Sequence, residues 1–235
     1  MSGSAPTPYH HGNLRTALLE RAGETLAAEG ADALTLRRLA RELGVSHAAP
    51  GRHFRDRRAL LDALALEGYA ALNARLEAST DAAGPVDPHG ASRFSAVARA
   101  YLGFAGEHGP LMEVMSRSVL SPSVSSPSVS SPSVSGSGTA EADGADAAAR
   151  LAAARRRGLE LTASSMREDS GPVDPRRGLI AFALIHGLAQ LAAEDLLEGH
   201  PLDDLVDLAV DTVWRGLETD AGRGTKADGD SGVDA

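Results

Sequence analysis

Apolar residues recur along this chain at helical spacing. From Asn13 to Glu29, Leu14, Leu18, Ala22 and Leu26 form one stripe, the mark of an amphipathic helix. Gly30 stops it. Thr35 is a good N-cap for a second helix, because its hydroxyl can accept from a free backbone N–H. Leu36, Leu39, Ala40 and Leu43 then share a face, and Gly44 supplies the left-handed turn that ends it. Ser46 is placed to cap a short third helix ending near His53. Asp56 caps a fourth, whose apolar face runs through Leu60, Leu61, Leu64, Tyr69, Leu72 and Leu76. After a Pro/Gly break at Asp81–Gly90, helical patterning returns at Ser92–Glu107, Leu111–Met115, Ala145–Arg167, Arg176–Leu197 and Leu202–Glu218. No segment alternates as a strand would. The fold class expected is all-α.

Two stretches break the pattern. Residues 121–135 repeat Ser-Pro-Ser-Val-Ser three times. A proline in every repeat forbids a helix, and no apolar face draws the segment into a core. The span 117–140 is therefore expected to be a disordered loop, with residues 1–8 and 219–235 as disordered tails. This leaves residues 9–55 as a small N-terminal domain, a linking helix over 56–78, and a larger helical domain over 79–218.

Charge separates the two halves. The chain holds 23 basic and 32 acidic residues, net −9. Residues 1–78 are nevertheless slightly basic, at +1, and residues 79–235 carry −10. Within 35–58 the seven arginines 37, 38, 41, 52, 55, 57 and 58 face only Glu42 and Asp56, a local excess of +5. Such an island in an acidic protein marks a docking place for a polyanion. Absence of cysteine excludes disulfides and thiolate chemistry. No apolar run is long enough to span a membrane and no signal pattern opens the chain, so a cytoplasmic protein is expected. The eight histidines are scattered without metal-ligand spacing. No nucleophile elbow, phosphate-cradling loop or His-Glu-x-x-His motif is present, so neither an enzyme nor a metal or other cofactor is expected.

The positions around Gly44 agree with one another. Small Ala40 lets two helices cross closely, and Leu39, Leu43 and Val45 seal the underside of the turn. Phe54 plugs the core. Ser46, His47, Ala48 and Ala49 are left exposed at the start of the third helix, where a helix in the major groove presents base-reading residues. Arg52, Arg55 and Arg57 flank them as candidate phosphate contacts.

These stretches carry a specific resemblance. Tyr9-His-His-Gly-Asn-Leu-Arg15, Leu34-Thr-Leu-Arg-Arg-Leu-Ala40, Leu43-Gly-Val-Ser-His-Ala-Ala-Pro50 and His53-Phe54, with Arg57 and Leu60-Leu61, resemble the N-terminal domain of the tetracycline-repressor (TetR) family of bacterial transcription regulators. The likeness covers residues 9–78; His186-Gly187-Leu188 resembles a looser signature in the C-terminal half of some subfamilies. It implies a homodimer that binds a palindromic double-stranded DNA operator and is released by a small-molecule effector. By the same resemblance, Thr35 and Arg37 sit where phosphates are contacted, Ser46, His47 and Ala48 where bases are read, and His53 and Arg57 at further backbone contacts. One departure is Gly51, where the family usually has tyrosine. It keeps open an alternative, a helical dimeric adaptor or ligand-binding protein that has lost operator binding. In the C-terminal half, Arg176–Leu197 and Leu202–Glu218 are apolar on more than one side, as a dimer-forming four-helix bundle requires. Tyr101, Phe104, Met112, Met115, Phe182 and His186 are the candidate ligand-pocket residues.

Overall fold

The computed structural model describes residues 14–83, 91–120, 137–166 and 175–224. Among these the chain is helical, with no strand. The helices are α1 (Leu14–Glu29), α2 (Leu36–Glu42), α3 (Arg57–Ala82), α4 (Ala91–Glu107), α5 (Gly109–Leu120), α6 (Ser137–Ser165), α7 (Pro175–Ala193) and α8 (Leu202–Gly224). Two short 3₁₀ turns, Ala31–Ala33 and Pro50–Arg52, lie before α2 and before α3.

The chain divides into two compact units. One holds the residues up to Tyr69 with Pro110–Ala152; the other holds Ala70–Gly109 with the residues from Ala153 onward. The boundary thus falls inside α3 and inside α6, not at residues 78–79 as the pattern suggested. Gly68 gives the local reason. A Cβ there would stand 2.7 Å from the Met115 sulfur and 3.1 Å from Leu111. Any side chain at 68 would push the Met115 and Leu111 side chains aside, so the bare backbone favours this close approach of α3 to α5, and the Tyr69 hydroxyl donates to the Met115 carbonyl at 3.4 Å. So α5, expected among the C-terminal helices, joins the N-terminal unit.

The first unit is built on Leu18, Leu26, Leu34, Leu39, Ala40, Phe54 and Leu60, all essentially inaccessible. The expected stripe of α1 is buried at Leu18, Ala22 and Leu26, with Leu19 and Thr25 beside it. Thr35 caps α2 as expected, its hydroxyl accepting from the Arg38 N–H at 3.2 Å. Asp56 caps α3 through the Ala59 N–H at 2.7 Å. Helix α2 ends in a Schellman motif: Val45 N–H donates to the Ala40 carbonyl and Gly44 N–H to that of Arg41. Gly44, at φ 67°, occupies the left-handed position this motif needs.

In the second unit α4 packs on α7 and α8, around Phe94, Val97, Ile185 and Val206. Arg99 ties α4 to α8 through Asp207 at 2.7 Å. Gly178 of α7 meets α6 so closely that a Cβ would lie 2.5 Å from that of Ala163. The Asn73 side chain is buried and donates to the Ala154 carbonyl at 2.9 Å.

Several expected boundaries shift. Helix α5 continues to Leu120 and α6 starts at Ser137, so the ends of the expected 117–140 loop are helical; its Ser-Pro repeat, 121–135, lies outside the described residues, as does 1–8. Helix α8 runs to Gly224, taking in the start of the expected 219–235 tail; 225–235 lie outside the described residues. Helix α7 stops at Ala193 rather than Leu197, because Asp195 turns left-handed at φ 56° and Leu196 N–H closes a second Schellman motif on the Leu191 carbonyl. Among the described side chains of α8, Val206 and Val210 are buried and Leu208 is exposed.

Candidate nucleic-acid interface

Helix α2, the Gly44 turn and the segment after it form the two arms of a helix-turn-helix, but the second arm is shorter than expected. In place of an α-helix over 46–53, a turn at 47–49 leads into the 3₁₀ piece Pro50–Arg52. Most bonds step by three: Ala49 N–H to the Ser46 carbonyl, Arg52 N–H to Ala49, His53 N–H to Pro50; a single four-residue bond, Phe54 N–H to the Pro50 carbonyl at 2.9 Å, closes the segment. Proline is the physical cause. Residue 50 has no N–H to close the four-residue bond onto Ser46, so the preceding Ala49 makes a tighter one. Gly51, with no atom within 4 Å of its would-be Cβ, adds no side chain to hold the turn.

The tip of this arm is open. Ser46, His47 and Ala48 are exposed, as are Gly51, Arg52 and His53, while Pro50 and Phe54 anchor the segment from beneath. The Arg15 guanidinium sits 5.4 Å from the centre of the Phe54 ring, a contact that periodicity could not reveal. Val45 is only half-buried, so Leu39 and Phe54 do most of the sealing.

The arginine cluster divides by function. Arg38 donates to Glu42 at 2.6 Å and to Glu29 at 2.8 Å, and Arg21 reaches Glu42 at 2.8 Å. These bonds raise the Arg38 pKa, Glu29 first and Glu42 next. They hold the Glu42 carboxyl below its usual range, Arg38 first and then Arg21. The network ties α1 to α2 and consumes the Arg38 charge. Arg58 is paired with Asp62 at 3.0 Å on its own helix, and Arg55 lies 3.3 Å from Asp56. Arg57, expected to reach a phosphate, donates instead to the carbonyls of Leu34 at 2.9 Å and Ala31 at 2.6 Å. Arg37, Arg41 and Arg52 are exposed and have no partner among the described residues. They stand on either side of the turn in sequence and leave their positive charge uncommitted. Thr35 is exposed too, although its hydroxyl is engaged in the cap.

The candidate ligand residues split between the units. Tyr101, Phe182 and His186 come together in the second. Tyr101 Oη and His186 Nδ1 are 2.8 Å apart. The Phe182 ring stacks on His186 with centroids 5.7 Å apart and meets Tyr101 edge-on at 5.8 Å. Burial, with Arg155 as a smaller cause, lowers the His186 pKa. Phe104 is buried in the same unit and lies against His108 at 4.6 Å. Met112 and Met115 belong to the first unit, where Met115 packs over Gly68. Among the described residues no group of three side chains could hold a metal ion, and no helix is long and apolar enough to cross a membrane.

Comparison with known proteins agrees with this geometry. The family profile described as bacterial regulatory proteins, tetR family, matches residues 18–64, which hold most of α1, all of α2, the turn and the start of α3. A Rhodococcus sp. RHA1 protein of unknown function is 42% identical, aligned over 89% of this chain and 98% of its own, with a TM-score of 0.70. At 20% identity, two solved structures share the fold: the TetR family transcriptional regulator PfmR from Thermus thermophilus (85% and 98% covered, TM-score 0.56) and a tetR-family regulatory protein from Rhodococcus RHA1 (86% and 95%, 0.57). Among curated proteins none matches. With an exposed turn on a sealed three-helix base, and that base matched by the family profile, the chain belongs to the tetR family of bacterial regulatory proteins, DNA-binding transcriptional regulators of the helix-turn-helix type.

Proposed function

We propose that the protein is a homodimeric repressor, bound to a palindromic operator through two Ser46–Ala48 turns and released by a small molecule taken up in its second unit. The observation that carries the reading is the exposed turn framed by the unpartnered Arg37, Arg41 and Arg52. Ser46, His47 and Ala48 face base edges; Thr35, Arg37, Arg52, His53 and Arg55 face the sugar–phosphate backbone, where contacts position the protein without specifying sequence. Pairing of two chains is supported by the exposed apolar side chains Leu179, Ile180, Leu191 and Leu208 on α7 and α8. A single chain gains nothing by leaving them in water, and a second copy would bury them. Ala183 and Gly187 on α7 are small enough for close helix approach. The effector would meet Tyr101, Phe182 and His186, an aromatic surface with one polar pair.

A second reading has its own support. The recognition arm is a 3₁₀ turn with a glycine at its centre, which favours an adaptor that no longer grips DNA. Fluorescence anisotropy with the DNA flanking the protein's own gene, at fixed salt, separates the two. Specific binding well above that to scrambled DNA, with a dimer by light scattering, supports the repressor. Equal weak binding to both DNAs supports the adaptor.

A further inference from the structure

Arg57 is the first residue of α3, yet its guanidinium reaches back across the domain. Nε donates to the Leu34 carbonyl at 2.9 Å and an η-nitrogen to the Ala31 carbonyl at 2.6 Å. Asp32 stands 3.6 Å away on the same side. These two carbonyls bracket the 3₁₀ turn Ala31–Ala33, and Leu34, fully buried, immediately precedes the Thr35 cap of α2. One planar fork therefore fastens the entrance of α2 to the beginning of α3. Everything between them, residues 35–56, is the helix-turn-helix itself. The exposed Ser46–Ala48 turn lies midway along that closed segment.

We infer that Arg57 is a positioning residue, a clasp that fixes the pose of the recognition turn from outside it, and not a phosphate contact. Three features carry this. Its donors are aimed at two backbone carbonyls. The two attachment points lie 23 residues apart at the two ends of the DNA-reading segment. The recognition arm, one turn and one 3₁₀ piece with a single four-residue bond from Phe54 to Pro50 at its end, has little rigidity of its own. Arginine suits the task, since its rigid fork engages two acceptors where a lysine ammonium would engage one. The inference rests on the DNA-binding reading of the turn, but the clasp also acts in the DNA-free protein.

The test compares Arg57→Lys, which keeps the charge and loses the bridge, with Arg57→Gln, and uses Arg52→Gln as the phosphate-contact control. Anisotropy is measured across a salt series with the DNA flanking the gene, and amide hydrogen exchange is followed without DNA. The expected result is about tenfold weaker specific binding for both Arg57 variants with the wild-type salt slope, whereas Arg52→Gln lowers the slope by about one. In the free protein, exchange at the Leu39 and Val45 amides should quicken in both Arg57 variants. A slope reduced by about one in Arg57→Gln and fully restored in Arg57→Lys would overturn the inference in favour of phosphate contact. So would unchanged exchange in both variants, whether or not the wild type binds this DNA.

Discussion

Gly51 is the position where one substitution should improve the protein as a DNA binder. Its backbone is not in the left-handed region, and a Cβ there would meet nothing within 4 Å. A side chain can therefore be added without strain. Replacing glycine by alanine removes backbone freedom that the turn must otherwise give up, worth about 0.4–1 kcal/mol. If that ordering accompanies DNA binding, affinity rises roughly two- to fivefold. Tyrosine adds a phenol at an exposed site beside Arg52; one hydrogen bond to a phosphate contributes about 1 kcal/mol more. Gly51→Tyr should then bind roughly ten- to thirtyfold tighter than wild type. A neutral hydroxyl releases no counterion, so the salt slope should not change. Gel-shift titrations of the wild type, Gly51→Ala and Gly51→Tyr at three salt concentrations measure both quantities. Tyrosine binding no tighter than alanine would remove the phosphate contact from the argument, and weaker binding by both would refute the premise that a loose turn limits affinity.

Other consequences can be checked with ordinary biophysics. Gly178→Ala forces a methyl against Ala163 and should cost about 1–3 kcal/mol, whereas Gly106→Ala, inside α4 with open space around it, should stabilise by about 0.5–1 kcal/mol; urea melts of the two variants should move in opposite directions. Asp56→Ala removes the cap on α3 and should cost about 1 kcal/mol, read as a lower melting temperature. The His186 pKa is lowered in the folded chain, so the unfolded chain takes up a proton first as pH falls through the ordinary value of 6.5. Stability from this group is complete above that value and declines below it; His186→Gln should flatten the decline in melts between pH 7.5 and 5.5. Ile180→Glu places a charge on the exposed face of α7 and should convert a dimer to a monomer by light scattering while leaving helicity unchanged.

The helices with strong local signals were legible in the chain: Thr35 and Asp56 cap where expected, and Gly44 turns left-handed where the apolar stripe ends. Their identity needed only the side chains within a few residues. The recognition arm was misjudged because a single missing N–H at Pro50 outweighs a good pattern, and periodicity does not register hydrogen-bond arithmetic. The division into units differs from the expected one because α5 docks on α3 beside Gly68, a contact invisible in any hydrophobic count. Among the candidate contacts, Ser46, His47 and Ala48 stand open as their spacing implied. Arginine identity revealed charge but not its use: Arg38 and Arg57 are engaged by partners up to 26 residues away in sequence, a distance over which no local pattern can speak.

That internal engagement has a consequence for life among a genome's worth of decoy sites. With Arg38 and Arg57 engaged in internal bonds and a net charge of −9, a regulator of this kind would hold arbitrary duplex chiefly through Arg37, Arg41 and Arg52, and so only weakly. Little of its population would then be sequestered on irrelevant sequence, and a small number of copies would suffice to occupy one address. If the tip reads bases as proposed, discrimination falls on its three side chains, and a single base change opposite His47 should then be strongly felt.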